Sequence, residues 1–255
     1  MKIAFFDSGI GGITVLNEAM RQLPHEQYLY FADTLHVPYG TKSKEEVQQF
    51  VERAVDTIIK LDVKALVIAC NTATSIAVTK LRNTYDIPII GMEPAVKPAL
   101  EMNRSTGKRV LVLATPLTLK QSKYAELISR IDDHKLVDSL PLPELVQFCE
   151  DLNFESKEII DYFTKKFSEF DLRLFGTVVL GCTHYPFYKD ILRRILPSAI
   201  QIVDGSAGTV KRLTQLLKDK SQLEETGTTS VTFMCSNDDQ AYIRKMEIAL
   251  ETLKK

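Results

Sequence analysis

The chain has no tryptophan and only four cysteines in 255 residues. Four cysteines do not make a disulfide framework for a chain of this length, and a reducing compartment would keep them as thiols. No apolar run approaches the ~18 residues of a membrane span. The N-terminal strand reaches an acid, Asp7, too soon for a signal-peptide apolar region, so the expected location is the cytoplasm. Neither sign of charge is in excess: 32 Lys and Arg face 33 Asp and Glu, a net charge of −1. That balance speaks against a nucleic-acid or membrane partner. A small anionic ligand stays possible, because it needs only local positive potential. Several signatures are also missing: G-x-G-x-x-G, the Gly-Lys-Ser/Thr of a P-loop, CxxC and HExxH. Dinucleotide binding, nucleotide hydrolysis, dithiol exchange and zinc proteolysis lose their usual sequence support.

What is present is a regular alternation of short apolar runs and amphipathic stretches. Strands are expected near residues 2–6, 28–32, 64–69, 88–91, 108–114, 135–138, 177–180, 200–203 and 230–234. Helices fill the intervals, including single helices over 117–131 and 186–195. Ser43 is expected to cap a helix, with Glu46 three residues on completing a capping box. The polar stretch 218–229 reads as an exposed linker. Alternation of this kind implies parallel sheets with helices on both faces. Nine or ten strands are many for one sheet, so the fold class is α/β with two doubly wound domains. Their mainly parallel sheets face each other across a substrate cleft. The expected division is 1–96 plus 208–255 for one domain and 97–207 for the other.

Two stretches repeat a design. Residues 65–72 read Ala-Leu-Val-Ile-Ala-Cys-Asn-Thr, and 177–184 read Thr-Val-Val-Leu-Gly-Cys-Thr-His. In each, an apolar run ends in a cysteine followed by hydrogen-bonding residues and a helix. A lone cysteine in that position is more often a small core residue than a reactive one. Two in matching contexts favour function, since Asn71, Thr72, Thr183 and His184 are costly to bury without partners. Helix N-termini also favour the thiolate, and His184 beside Cys182 could do the same. Cys149 and Cys235 lack this setting and read as structural.

Ligands bind at the carboxyl ends of strands in open parallel sheets. The polar turns at such ends are Asp7-Ser8, Cys70-Asn71-Thr72, Thr115 to Thr118, and Cys182-Thr183-His184. The glycine-rich turn 7–12 could present backbone N–H groups to an anion, or could be a tight turn and a cap. Two facing thiols suit removal of a proton from one face of a carbon and delivery to the other. Their reference pKa, about 8.5, lies near working pH.

Four motifs carry a family resemblance: Phe-Asp-Ser-Gly-Ile-Gly-Gly (6–12), Ala-Asp-Thr…Val-Pro-Tyr-Gly (32–40), Ala-Cys-Asn-Thr-Ala (69–73) and Gly-Cys-Thr-His-Tyr-Pro (181–186). Gly-Met-Glu-Pro-Ala-Val-Lys-Pro-Ala (91–99) also fits. In this order the chain resembles the cofactor-independent aspartate/glutamate racemase superfamily, and within it the glutamate racemases. The resemblance implies interconversion of L- and D-glutamate without cofactor or metal, D-glutamate for peptidoglycan, and a homodimer. It implies that Cys70 serves the D-glutamate face and Cys182 the L-glutamate face, assisted by Asp7, His184 and Glu150. Substrate-binding positions fall on Ser8, Pro38, Tyr39, Gly40, Asn71, Thr72, Thr115, Thr118 and Thr183, beside Asp7, His184 and the two thiols. One turn departs from the family pattern: Asp-Gly-Ser-Ala-Gly (204–208) stands where Asp-Ser-Gly-Ala-Glu is usual. The alternatives are an aspartate or other acidic amino-acid racemase, and a non-enzymatic binder of small anions.

Overall fold

Two parallel sheets organise the computed structural model, which describes residues 1–92 and 94–254. Glu93, inside the 91–99 stretch, lies outside the described residues. The first half runs β1 (Lys2–Asp7), α1 (Ile13–Gln22), β2 (Gln27–Ala32), α2 (Lys44–Ile59), β3 (Val63–Ile68), α3 (Asn71–Thr84) and β4 (Ile89–Gly91). After α4 (Val96–Asn103) come β5 (Arg109–Ala114), α5 (Pro116–Lys120), α6 (Ser122–Ile131), β6 (Val137–Pro141), α7 (Glu144–Glu150) and α8 (Lys157–Phe167). The chain then forms β7 (Phe175–Leu180), α9 (Lys189–Ile195), β8 (Gln201–Asp204), α10 (Ser206–Asp219), β9 (Ser230–Cys235) and α11 (Gln240–Leu253).

One sheet has the order β4-β3-β1-β2-β9 and the other β6-β5-β7-β8. Taken from its opposite edge, the second is β8-β7-β5-β6, which repeats β4-β3-β1-β2. The β1–β3 and β5–β7 pairs even share a register shift near their first residues, at Lys2/Ile3 and at Arg109/Val110. Each half leaves its first strand on one side and returns on the other. The switch points, where ligands bind in such sheets, therefore lie between β1 and β3 and between β5 and β7. Cys70 and Cys182 each follow the strand at a switch point by two residues. The faint two-fold pattern in the sequence is thus a repeat of topology. The strands flanking these points are buried on both faces, which is why they read as unbroken apolar runs such as Ile-Ala-Phe-Phe and Ala-Leu-Val-Ile.

Local signals hold well where they are strong. Ser43 caps α2: its hydroxyl accepts from the Glu46 N–H at 3.3 Å, and the Glu46 carboxylate accepts from the Ser43 N–H at 3.0 Å. Ser43→Ala is expected to lower the unfolding free energy by about 1 kcal/mol, read from the urea midpoint at unchanged slope.

Some expectations need correction. The helix over 117–131 is two helices, α5 and α6, parted at Gln121, whose ψ of 139° is extended. Thr115 caps α5 and Pro116 occupies its first turn. The strand expected at 135–138 lies at Val137–Pro141. It forms the edge of its sheet, where the missing N–H of Pro141 is tolerated. The helix from Pro186 begins as a tight 3-10 turn, Tyr185–Tyr188, and turns α-helical at Lys189. The stretch 218–229 does expose its side chains, but its backbone is pinned. Buried Lys64 pairs with buried Glu26 at 2.7 Å and donates to the Gln222 carbonyl at 2.6 Å. The Glu26 carboxylate in turn accepts from the Glu224 N–H at 2.9 Å. Charges this deep persist only when paired, and the linker completes their shell. Among the described residues no helix is long and apolar enough to cross a membrane.

Candidate active site

A narrow cavity lies where the two switch points meet. Its wall is made of Ser8 after β1, Pro38-Tyr39-Gly40 from the loop after β2, and Cys70-Asn71-Thr72 after β3. The second half supplies Thr115 after β5, Val146 on α7, and Cys182-Thr183-His184 after β7. Both thiols thus border one space, each from its own sheet.

Cys70 occupies the cap position of α3, and the Ala73 N–H points at its sulfur at 3.4 Å. The Ser8 hydroxyl stands 4.0 Å away. The sequence reasoning expects a thiolate here, and the net effect is the reverse. Burial raises the Cys70 thiol well above its ordinary value, and the neighbouring Asp7 charge adds to that; the Ala73 N–H and Ser8 only partly offset them. Before substrate enters, Cys70 is a stored proton.

The Cys182 side is a chain of hydrogen bonds. The His184 Nδ1 lies 3.7 Å from the Cys182 sulfur, and Nε2 lies 2.8 Å from Glu150 Oε1. Burial works against charge on His184, but its bonds to Cys182 and Glu150 outweigh burial and hold it well above the usual histidine range. For Glu150, burial alone would raise the carboxyl. The His184 bond and charge, with the Tyr242 hydroxyl and the Ile10 N–H, bring it below its ordinary value. Glu150 does not line the cavity and reaches Cys182 only through His184. Asp7 also stands behind the wall, fully buried, accepting from the Gly9 N–H and the Thr183 hydroxyl, both at 3.0 Å. Burial raises its carboxyl above the usual range, against the opposing His184 charge.

The glycine-rich turn departs from its expected use. Its Gly9 and Ile10 N–H groups are taken by the Asp7 and Glu150 carboxylates, so those two donors face protein groups. The glycines serve close approach. A Cβ on Gly9 would meet Glu150 Oε1 at 1.9 Å, and one on Gly11 would meet His184 Nδ1 at 2.5 Å. Gly40 is likewise pressed on Thr115, at 2.8 Å from its Cβ.

Asn71 lines this cavity with its amide unsatisfied. Its side chain is 4% exposed, and neither amide atom finds a hydrogen-bond partner among the described residues. Such orphaned groups cost about 1–3 kcal/mol each unless a ligand satisfies them. Behind it the Thr72, Thr115 and Thr118 hydroxyls lie within 3.1 Å of one another. Thr118 therefore backs the cavity wall and faces a neighbouring cavity, which Asn71 also lines. The Tyr39 hydroxyl donates to Asp33 at 2.5 Å, fixing the 38–40 lip.

Sequence reasoning missed Val146, Tyr30 and Tyr242. Val146 sits mid-helix with no distinguishing signal. Tyr30 alternates in a strand like any core tyrosine, yet its hydroxyl donates to the Gly9 carbonyl at 2.7 Å. Cys149 and Cys235 are buried away from the cavity wall. In the departing turn, Asp204 pairs with Lys189 at 2.6 Å and accepts from the Ser206 N–H at 2.7 Å, apart from the thiols. Among the described residues no group of three or more His, Cys, Asp or Glu is placed to hold a metal ion.

Known proteins are similar to this chain in sequence and fold. Residues 13–213 match the Asp/Glu/Hydantoin racemase family model. The chain is 50% identical over 256 residues to glutamate racemase 2 of Bacillus subtilis (strain 168), covering 99% of this chain and 96% of that one. It superposes with a TM-score of 0.85 on Escherichia coli glutamate racemase in complex with L-glutamate and the activator UDP-MurNAc-ala, at 29% identity, covering 98% of this chain and 94% of that one. The TM-score is 0.84 to the Francisella tularensis glutamate racemase in complex with D-glutamate, at 30% identity, covering 98% and 93%.

Proposed function

Because the chain belongs to the Asp/Glu/hydantoin racemase family, we propose that it is a glutamate racemase whose thiols, Cys70 and Cys182, serve opposite faces of one α-carbon. One observation carries the site assignment: two thiols from topologically equivalent strand ends, in different sheets, border a single cavity. That relatives bind L-glutamate in one case and D-glutamate in another fits a site that accepts both enantiomers. The product D-glutamate serves peptidoglycan synthesis. The sheet memberships support a division into residues 1–96 with 208–255 and residues 97–207.

In the L-to-D direction the Cys182 thiolate takes the α-proton. The electron pair left on carbon delocalises into the α-carboxylate, and the Cys70 thiol returns a proton to the opposite face. The reverse direction exchanges the two roles. The Cα–H is far less acidic than a thiol, so positioning and charge stabilisation must supply much of the barrier reduction. The Asn71 amide, which has no protein partner, and the Thr72 hydroxyl are the donors at hand for the substrate carboxylates. Ser8 and the 38–40 lip, with Thr115, close the other side. His184 Nδ1, 3.7 Å from the Cys182 sulfur, is placed to steady the negative charge that sulfur carries when it acts as base. On the other face, burial and then the Asp7 charge keep Cys70 protonated, as its role of proton donor in this direction requires.

Chelator-treated protein incubated with L-glutamate is expected to lose circular dichroism until the racemic mixture remains. L-aspartate, one methylene shorter, is expected to react about 10–200-fold more slowly. A flat signal, or activity only with added pyridoxal phosphate, overturns the proposal. Faster loss with aspartate assigns the protein to the smaller substrate.

A further inference from the structure

The Cys182 relay does not end at Glu150. Tyr242, on the C-terminal helix α11, donates its hydroxyl to Glu150 Oε2 at 2.5 Å. The other carboxylate oxygen, Oε1, is shared between the Ile10 N–H at 2.9 Å and His184 Nε2 at 2.8 Å. Tyr242 and Ile10 belong to elements of the five-stranded sheet, Glu150 and His184 to those of the four-stranded one. The carboxylate is therefore clamped across the junction of the two halves. A carboxylate on a rotatable side chain holds one orientation only if both oxygens are engaged, and the Tyr242 hydroxyl is what engages Oε2.

Resting on the reading of Cys182 and His184 given above, we propose that Tyr242 is a positioning residue for proton transfer at Cys182, acting through Glu150 and His184. Its ring needs no contact with substrate. The phenol cannot share the role of base, because burial and the adjacent Glu150 charge push its own ionisation far up. It stays a donor across the working range. The remaining ionisable groups around this cluster are Asp7, Tyr30, Cys149, Tyr188 and Lys245. Lys245 Nζ lies over the Tyr242 ring, 4.9 Å from its centroid, and among the described residues the hydrogen bond to Oε2 comes from the Tyr242 hydroxyl.

Tyr242→Phe keeps the ring and removes one donor from an ionised carboxylate. Glu150 then protonates at higher pH. Because the relay needs the carboxylate, activity must fail sooner as pH drops. The acid limb of the kcat/KM profile for glutamate is expected to move up by about one pH unit, with kcat/KM near neutrality down roughly tenfold. A difluorotyrosine placed at 242 keeps shape and fold while strengthening the donor, and should move the limb the other way. An unmoved limb in both variants, whatever happens to the melting temperature, overturns the role of Tyr242 while leaving the racemase reading intact. A wild-type protein that does not racemise glutamate overturns that reading first.

Discussion

Cys70→Ala and Cys182→Ala are each expected to lower kcat/KM for L- and D-glutamate by about 10⁴-fold, and equally in both directions. Proton transfer by a positioned group contributes up to about this much, and each thiol is acid in one direction and base in the other. The enantiomers have the same free energy in water, so the two values of kcat/KM must stay equal in any variant. A loss confined to one direction would show that the measured reaction is not racemisation. The single-thiol proteins also separate the two faces. In D₂O, Cys70→Ala still has its L-face thiol and is expected to exchange the α-proton of L-glutamate without inverting it. Cys182→Ala should do so for D-glutamate. Loss of the α-proton signal by NMR reads both, and the opposite pattern would reverse the face assignment. Serine is a poor substitute, because its hydroxyl ionises far above working pH.

The next largest effect is expected from a single methyl group. In Gly11→Ala the new Cβ would lie 2.5 Å from both His184 Nδ1 and Thr183 Oγ1, and 2.7 Å from His184 Cε1. Contacts so short force movement. Gly11 is not among the residues with positive φ, so alanine fits its backbone and the fold should survive. What moves is the approach of the α1 turn to the Cys182 turn. Displacing a reacting group by about 1 Å can cost 10²-fold, so kcat/KM is expected to fall about that much with little change in melting temperature. Gly208→Ala is the control. Its Cβ meets open space in α10, and the better helix propensity of alanine should slightly stabilise the protein. Equal activity in the two variants would mean that the Gly11 contact does not govern the site.

These expectations divide between what chain order encodes and what folding brings together. The alternation of apolar runs with amphipathic helices is local and periodic, and it carries the α/β class and most strand positions. The Ser43–Glu46 cap is equally local, spanning one helical turn. The two cysteine turns were legible because an apolar strand ending in a thiol and unpaired polar residues is a short-range pattern, and it occurs twice. Break points were less so. Nothing between 117 and 131 contains a glycine or an internal proline, yet the chain extends at Gln121 once Thr118 is drawn to Thr72 and Thr115.

The charge states of the site belong to tertiary structure alone. Cys70 and Cys182 look alike in sequence, each at a strand end before a turn. One is buried beside Asp7 and keeps its proton; the other faces His184, which is held by Glu150, 34 residues away in the chain. The fourth member, Tyr242, lies 92 residues from Glu150 and reads in sequence as one more helical aromatic. Hydrogen bonds across such separations leave no periodicity or spacing behind, since either partner would satisfy its own element without the other. The sequence by itself determined that two thiols stand at equivalent strand ends. Only the packing of one sheet's strand ends on the other's decided that each thiol meets a different set of neighbours, Asp7 and Ser8 for Cys70 and His184 for Cys182, because desolvation and neighbouring charge arise when the halves meet.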